Sequence, residues 1–219
     1  TEDVEIVKNL ISGIRSKRLL FNNYFGIDNL SNSEYISTPN TLLIRQPVNG
    51  FNRIYVMSDN ALDFGKVLIN VQYGDTINIP SRNGINDWID LLDDAHFTKI
   101  GTYRRYYNIN IPRIGKSALD YAIERDFHSI YNILYSKFSS ITDRLPNCVE
   151  IKKMIASNQI IVNRDDAGKV SGLLIFTFEK NKCYLNAWID VGGNGLSLLF
   201  KIYGLVKERG IKYVYFWVN

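Results

Sequence analysis

Apolar residues recur along the chain with two different periods, and the alternation between these periods predicts the secondary structure. Spacings of three and four residues predict amphipathic helices at residues 3–20, 61–71, 86–94, 125–138, 149–156 and 195–209. Short runs rich in β-branched and aromatic residues predict strands at 41–45, 53–58, 76–79, 97–107, 120–123, 159–163, 169–179, 183–191 and 211–218. Residues 22–40 carry turn formers without a sustained period and are predicted to be a loop with at most short elements. This succession indicates the α/β (α+β) fold class.

The middle of the chain offers a linker at residues 109–116, because Pro112 and Gly115 interrupt the pattern there. On both sides of it the chain places a strand, a helix and a further strand in similar succession. The length of 219 residues lies between one and two typical domains. We therefore expect two related halves, residues 1–112 and residues 117–219.

The composition, 46% apolar and 22% charged, is that of an ordinary globular chain with a sizeable core. The longest nearly uncharged stretches, residues 172–179 and 211–219, are far shorter than the roughly 20 apolar residues that a membrane span needs. Residues 1–8 alternate acidic and apolar side chains, so we expect no secretory signal and a cytoplasmic location. Cys148 and Cys183 form no CxxC pair, and we expect both to be reduced and structural.

The 26 basic and 22 acidic residues give a formal charge of +4. This excess suits an anionic ligand but is too small to indicate nucleic-acid binding. His96 and His128 lie far apart and accompany neither an HExxH motif nor clustered carboxylates, so we expect no metal site. We expect no membrane partner either, and we leave a homo-oligomer open.

The stretch that carries chemistry runs from a predicted strand through Gly192, Gly193 and Gly195 directly into a predicted helix. Such a turn exposes backbone N–H groups at the positive end of a helix, and glycines leave room for a phosphate to approach them. A diphosphate ligand is therefore one interpretation, and a tight strand-to-helix turn without a ligand is the other. The turn is not a P-loop, because no Lys-Ser or Lys-Thr pair follows Gly195, and it lacks the GxGxxG spacing.

Residues 118–219 resemble the GCN5-related N-acetyltransferase (GNAT) family in the order of their elements. The resemblance rests on Tyr121-Ala-Ile-Glu-Arg-Asp, Gly172-Leu-Leu-Ile-Phe and Gly193-Asn-Gly-Leu-Ser. It implies a mixed, mostly antiparallel sheet flanked by helices. It also implies an acyl-CoA-dependent N-acyltransferase, which moves the acetyl group of acetyl-CoA to the amine of a small molecule or peptide.

The first half resembles the later part of the same fold, from the strand at 53–58 to about residue 102. Its turn, Ser58-Asp59-Asn60-Ala61, has no glycine, and side chains there would crowd a pyrophosphate. We therefore expect a degenerate GNAT-like domain in a tandem arrangement. The second half ends where the fold would continue with further elements, so we expect it to be incomplete at its C-terminal end.

The resemblance also assigns site residues in the second half. The pyrophosphate would lie on the glycine turn, and the pantetheine arm would pair with the preceding strand like an added strand. The cofactor-binding residues are then Trp188, Ile189, Val191, Gly192, Gly193, Asn194, Gly195, Leu196 and Ser197. Glu179 and Asp190 are the acidic residues near the ends of the two central strands and are the candidates for the catalytic base. The general acid, commonly a Tyr on the helix after the last strand, is not assigned.

Two departures from the family pattern keep other functions open. Gly192 stands where the family has Gln or Arg, and the downstream Tyr is missing. The first alternative is accordingly a GNAT-like binding or scaffold module without catalysis. The second is an aminoacyl-tRNA-dependent transferase of similar fold, which the mildly basic charge permits.

Overall fold

The computed structural model describes residues 2–24, 30, 32–48, 50–79, 85–112, 120–143, 145–193 and 195–218. The chain divides into two compact units, Thr1–Lys99 and Ile100–Asn219. The elements of the first unit are α1 (Glu2–Arg15), β1 (Phe21–Asn22), β2 (Glu34–Ser37), β3 (Thr41–Val48), β4 (Phe51–Ser58), α2 (Ala61–Leu68), β5 (Asp75–Ile77) and α3 (Ile85–Asp94). Those of the second unit are β6 (Arg104–Asn108), α4 (Phe127–Lys137), α5 (Cys148–Ala156), β7 (Ile160–Arg164), β8 (Val170–Glu179), β9 (Lys182–Asp190), α6 (Gly195–Glu208) and β10 (Tyr213–Val218).

The first unit is built on a sheet in the order β1-β4-β3-β2, with β5 parallel to β4. Successive residues of β3, Leu42, Leu43 and Ile44, are all buried, because helices cover both faces of the sheet. Leu43 packs with α2 and α3, whereas Leu42 and Ile44 pack with α1. The hydrophobic core of this unit is therefore double, with one layer on each side of the sheet.

The second unit is built on a sheet in the order β6-β10-β9-β8-β7, in which only β9 and β10 are parallel. Helix α6 covers one face and packs Leu198, Ile202 and Val206 against the central strands. Helices α4 and α5 cover the β7 and β8 side of the other face. The mixed, mostly antiparallel sheet flanked by helices that the resemblance implies is confirmed.

A buried ion pair ties the segment before α4 to the end of β7. The Arg164 guanidinium donates two hydrogen bonds to Asp126, at 2.8 and 2.7 Å, and one to Asp120 at 2.8 Å. Because Arg164 donates to both carboxylate oxygens of Asp126, the pKa of this carboxyl group lies below its ordinary value. The pair thus holds Asp126 ionised in a position where it is only 5% exposed.

The structure corrects three local expectations. The strand expected at 97–107 begins only at Arg104, and as β6 it pairs antiparallel with β10, so it belongs to the second unit rather than the first. The two units accordingly meet in sequence between Lys99 and Ile100, before the linker expected at 109–116. The strand expected at 120–123 is a single bridge between Tyr121 and Ile161.

No helix among the residues that the structure describes is both long and apolar enough to cross a membrane.

Candidate functional site

Strands β9 and β10 run side by side only over part of their length. Their pairing ends at Leu185 and Phe216, while β9 continues to Asp190. Within the described part of the chain, no strand pairs with residues 186–190 of β9 on the side toward β10. The two strands therefore part and leave a cleft lined by backbone N–H and C=O groups without strand partners.

A β-bulge at Asn186 marks the point where the strands part. Ile175 of β8 pairs with Ala187 and the next residue, Phe176, pairs with Leu185, so Asn186 is not opposite any β8 residue in the strand register. Its side chain donates a hydrogen bond to the Thr177 hydroxyl at 3.3 Å. A bulge increases the local bend and twist of a strand, which gives a physical reason for β9 to turn away from β10 at this residue.

The glycine turn follows directly at the end of β9. Gly192 N–H and Gly195 N–H donate to the two carboxylate oxygens of Asp190, at 3.0 and 2.7 Å. Gly193 has φ +83°, a conformation that side chains disfavour. A Cβ on Gly195 would lie 2.9 Å from the Asp190 Cβ, so any larger residue there must displace the turn. Asp190 and the glycines thus determine each other's positions.

An open cavity of about 470 Å³ lies at this turn and is lined by Trp188, Asp190, Gly193, Gly195, Leu196 and Ser197. The Trp188 indole donates to the Gly195 carbonyl at 3.0 Å, which fixes the ring against the start of α6. The first turn of α6 leaves N–H groups without intrahelical partners, as at any helix start. The cavity therefore combines an aromatic wall with a positive helix end.

A chain of hydrogen-bonded polar side chains, which the sequence did not predict, lies at the start of α6 beside this cavity. Asn163 of β7 donates to the Ser197 hydroxyl at 2.7 Å and accepts from Lys201 Nζ at 3.1 Å. Ser197 and Lys201 are four residues apart and share one face of α6, a spacing that could have drawn attention to Lys201. The contribution of Asn163 depends on the packing of β7 beside α6 and has no local signal in the sequence.

The structure brings most of the predicted cofactor-binding residues together at the turn, but they occupy different positions: some line the cavity and others do not. Trp188, Gly193, Gly195, Leu196 and Ser197 line the cavity, and Gly192 lies in the turn beside it. Ile189 is buried in the core under α4 and α5, so its side chain is unavailable to a ligand there. Val191 is exposed, and its N–H donates to the Ser171 carbonyl at 2.8 Å. Asn194 lies outside the described residues.

The two predicted acidic residues lie at opposite ends of β8 and β9. Asp190 pairs in register with Gly172, whereas Glu179 pairs with Lys182 next to the hairpin turn. The seven steps along β8 from Gly172 to Glu179 span about 23 Å at the usual rise per residue. The structure therefore does not bring the two carboxylates together, and their catalytic assignment stays a prediction.

No protein-family model matches the chain, and no curated protein matches it. Solved structures do. A GCN5-related N-acetyltransferase from Sphaerobacter thermophilus is 13% identical, with a TM-score of 0.59 over 82% of this chain and 71% of that one. A GNAT-family acetyltransferase from Colwellia psychrerythraea is 9% identical, with a TM-score of 0.53 over 98% of this chain and 86% of that one. At such identities the likeness shows the fold, and the fold of this chain is GNAT-like.

Proposed function

We propose that the second unit binds an acyl-CoA and transfers the acyl group to an amine. One observation carries the proposal: strands β9 and β10 part beyond Leu185 and Phe216, directly beside a glycine turn that opens α6. A strand edge that no other described strand pairs accepts an extended chain with amide groups, and a helix start accepts a phosphate. The pantetheine arm and the pyrophosphate of coenzyme A have these two chemistries.

The pantetheine arm would pair with residues 186–190 of β9, which places its sulfur at the inner end of the cleft, near the Asn186 bulge. Side-chain identity matters little for such pairing, because backbone groups make the hydrogen bonds. The pyrophosphate would then lie at the outer end, over the first turn of α6. Lys201 adds a cation one helical turn further along the same helix.

The reaction forms a bond between the acceptor nitrogen and the thioester carbonyl carbon, and it breaks the carbon–sulfur bond. The amine loses a proton to a base, and the thiolate of coenzyme A leaves. The bulge at Asn186 lies opposite Ile175 and Phe176, so Glu179 is three to four residues from it along β8, about 10–13 Å, and Asp190 is four residues from it along β9, about 13 Å. Distance along the strands therefore does not choose between the two predicted bases, although Asp190 lies at the phosphate end and Glu179 beyond the bulge.

The test is calorimetric titration with acetyl-CoA and with desulfo-CoA, followed by a thiol-release assay with small and peptide amines. Gly195→Ala should weaken binding about tenfold or more, because its Cβ would collide with Asp190. Gly13→Ala is the matched control, since a Cβ at Gly13 meets no atom within 4 Å. Absence of heat and of any melting shift at millimolar ligand would exclude the coenzyme site.

One observation favours the binding module without catalysis as the second candidate. The Asp190 carboxylate already occupies two amides of the glycine turn, as a bound anion would. A protein that binds acetyl-CoA but releases no thiol with any amine would support this candidate. An aminoacyl-tRNA-dependent transferase would show an electrophoretic mobility shift with aminoacyl-tRNA that persists at moderate salt. A shift caused by charge attraction alone would disappear at that salt concentration.

A further inference from the structure

The first unit repeats the arrangement that forms the candidate site of the second. Strand β4 leads into helix α2 and then into β5, which is parallel to β4, just as β9 leads through α6 to β10. The parallel pairing also ends partway, at Ile54 and Ile77, while β4 continues to Ser58. The first unit thus has its own place where two parallel strands part beside a helix start.

That place is filled by the unit's own chain. Residues 20–23, which we call the inserted segment, lie along the part of β4 that β5 leaves unpaired. Phe21 pairs with Ser58 and Asn22 with Met57, both antiparallel. Leu20 N–H donates to the Ser58 carbonyl at 2.8 Å, and Asn23 N–H donates to the Val56 carbonyl at 3.2 Å. The backbone groups that an extended ligand would use are therefore already satisfied.

The Asn23 side chain completes the insertion at its inner end. Its Oδ1 accepts from Val56 N–H at 2.6 Å, and its Nδ2 donates to the carbonyls of Ile54 and Asn78, each at 3.0 Å. Asn23 is only 3% exposed. Its amide therefore bridges β4 and the residue that follows β5, at the point where the strands part, and takes the position of a peptide group in an added strand.

The aromatic ring of Phe21 anchors the inserted segment in the core. It lies 4.9 Å from Phe64 of α2 and 5.2 Å from Trp88 of α3, measured between ring centroids, and it is 3% exposed. Burial of a Phe side chain removes a large apolar surface from water and so stabilises the folded state. The insertion is thus part of the folded core rather than a surface contact.

The helix start beside this cleft is also unsuited to a phosphate. Asn60 caps α2 by accepting from Asp63 N–H at 3.0 Å. A hydrogen bond from Asn40 keeps the pKa of Asp63 below its ordinary value, so a negative charge stays in the first turn of α2. Asp59 precedes the helix and pairs with Lys17 at 3.4 Å. An incoming pyrophosphate would meet these carboxylates.

We propose that the inserted segment is a built-in substitute for the extended arm of a ligand. The first unit then holds no acyl-CoA, and the chain binds one equivalent, in the second unit. The location of that one equivalent rests on the proposed function, whereas the closure of the first cleft does not.

The first test counts binding sites with a matched pair of variants. Leu62 and Leu196 are each the second residue of the helix that follows the parting strand, and both are exposed, at 78% and 61%. Leu196→Glu should weaken acetyl-CoA binding about tenfold or more, and Leu62→Glu should leave it unchanged. Calorimetry of the unmodified chain should give one equivalent. Two equivalents, or weaker binding by Leu62→Glu, would overturn the proposal.

The second test needs no coenzyme. Hydrogen exchange at Val56 N–H should be slow in the free protein, because Asn23 Oδ1 accepts from it, and Asn23→Ala should accelerate it about tenfold or more. Fast exchange at Val56 in the unmodified protein would overturn the proposal that the inserted segment occupies the first cleft, even if the variant does not fold. Slowing of Val56 by acetyl-CoA would place ligand in the first cleft and would overturn it as well. If acetyl-CoA binds neither unit while Val56 exchanges slowly, the proposed function is wrong and the closed cleft is supported.

Discussion

Asp190 accepts hydrogen bonds from two amides of the glycine turn, and these are the groups that would otherwise face an anion. A carboxylate at a helix start is stabilised by the same partial charges that attract a phosphate. The pyrophosphate of the proposed ligand would therefore compete with the Asp190 carboxylate for the same positive helix start. Two roles are therefore open to Asp190: a structural role at the turn, or the role of the catalytic base.

Replacement of Asp190 by Asn tests which role applies. We expect Asp190→Asn to bind acetyl-CoA several-fold more tightly, because one negative charge leaves the vicinity of the pyrophosphate. Calorimetry gives the affinity, and the thiol-release assay gives kcat. Asp166→Asn, in the exposed turn between β7 and β8, removes the same formal charge as a control. A large fall in kcat at unchanged affinity would instead identify Asp190 as the base.

Asp126 makes the stability of the second unit depend on pH. Its folded pKa is depressed mainly by the hydrogen bonds from Arg164, so the pair contributes stability above the unfolded pKa of about 3.9. That contribution is lost as the pH falls through the folded pKa. We expect the melting temperature to drop on acidification below about pH 4, and Asp126→Asn to be less stable at pH 7 with a flatter acid limb. Equal pH profiles for both proteins would contradict this.

At the scale of elements, the bulge in β9 decides which side chains face the core. Beyond Asn186 the alternation changes, so Ile189 packs under α4 and α5 while Trp188 lies toward α6. A one-residue shift of register moves every later side chain to the other face. The bulge therefore positions both the core residue and the aromatic wall of the cavity.

Deletion of Asn186 should remove the bulge and leave the faces of Ile189 and Trp188 unchanged, because Leu185 and Ala187 would then be neighbours opposite Phe176 and Ile175 in a regular ladder. Without the bulge β9 loses its local bend, so we expect the cleft to narrow and acetyl-CoA binding, measured by calorimetry, to weaken about tenfold or more. Asn186→Ala keeps the bulged residue and loses only the bond to Thr177, so it should retain binding and lose about 1 kcal/mol of stability in urea denaturation. Unweakened binding by the deletion variant would show that the bulge does not part the strands.

At the scale of the whole molecule, the chain carries two units of related strand and helix order with one open cleft and one closed cleft. A ligand that binds only the folded state stabilises the unit that holds it. Acetyl-CoA at about 100 times its Kd should stabilise the second unit by about 2.7 kcal/mol. Amide hydrogen exchange should slow at residues 186–190 of β9 and stay unchanged in β3 and β4. Slowing throughout the first unit would contradict this distribution.

Local sequence patterns determined much of this protein by themselves. Helical spacing located the segments that became α2, α5 and α6, and the Gly192, Gly193 and Gly195 cluster located the turn before α6. These features depend on neighbours within a few residues, where periodicity and the conformational freedom of glycine act directly. The GNAT-like order of elements in the second half followed from them.

Strand pairing depends on contacts in three dimensions and not on local patterns. The pairing of β6 with β10, the parting of β9 from β10 at Asn186 and the insertion of residues 20–23 beside β4 join residues far apart in sequence. The partner of a strand edge is chosen by backbone hydrogen bonds, which carry no side-chain signal, and by which edge the rest of the fold leaves open. For that reason the glycine turn is visible in the sequence, whereas the open cleft beside it and the closed cleft of the first unit are visible only in three dimensions.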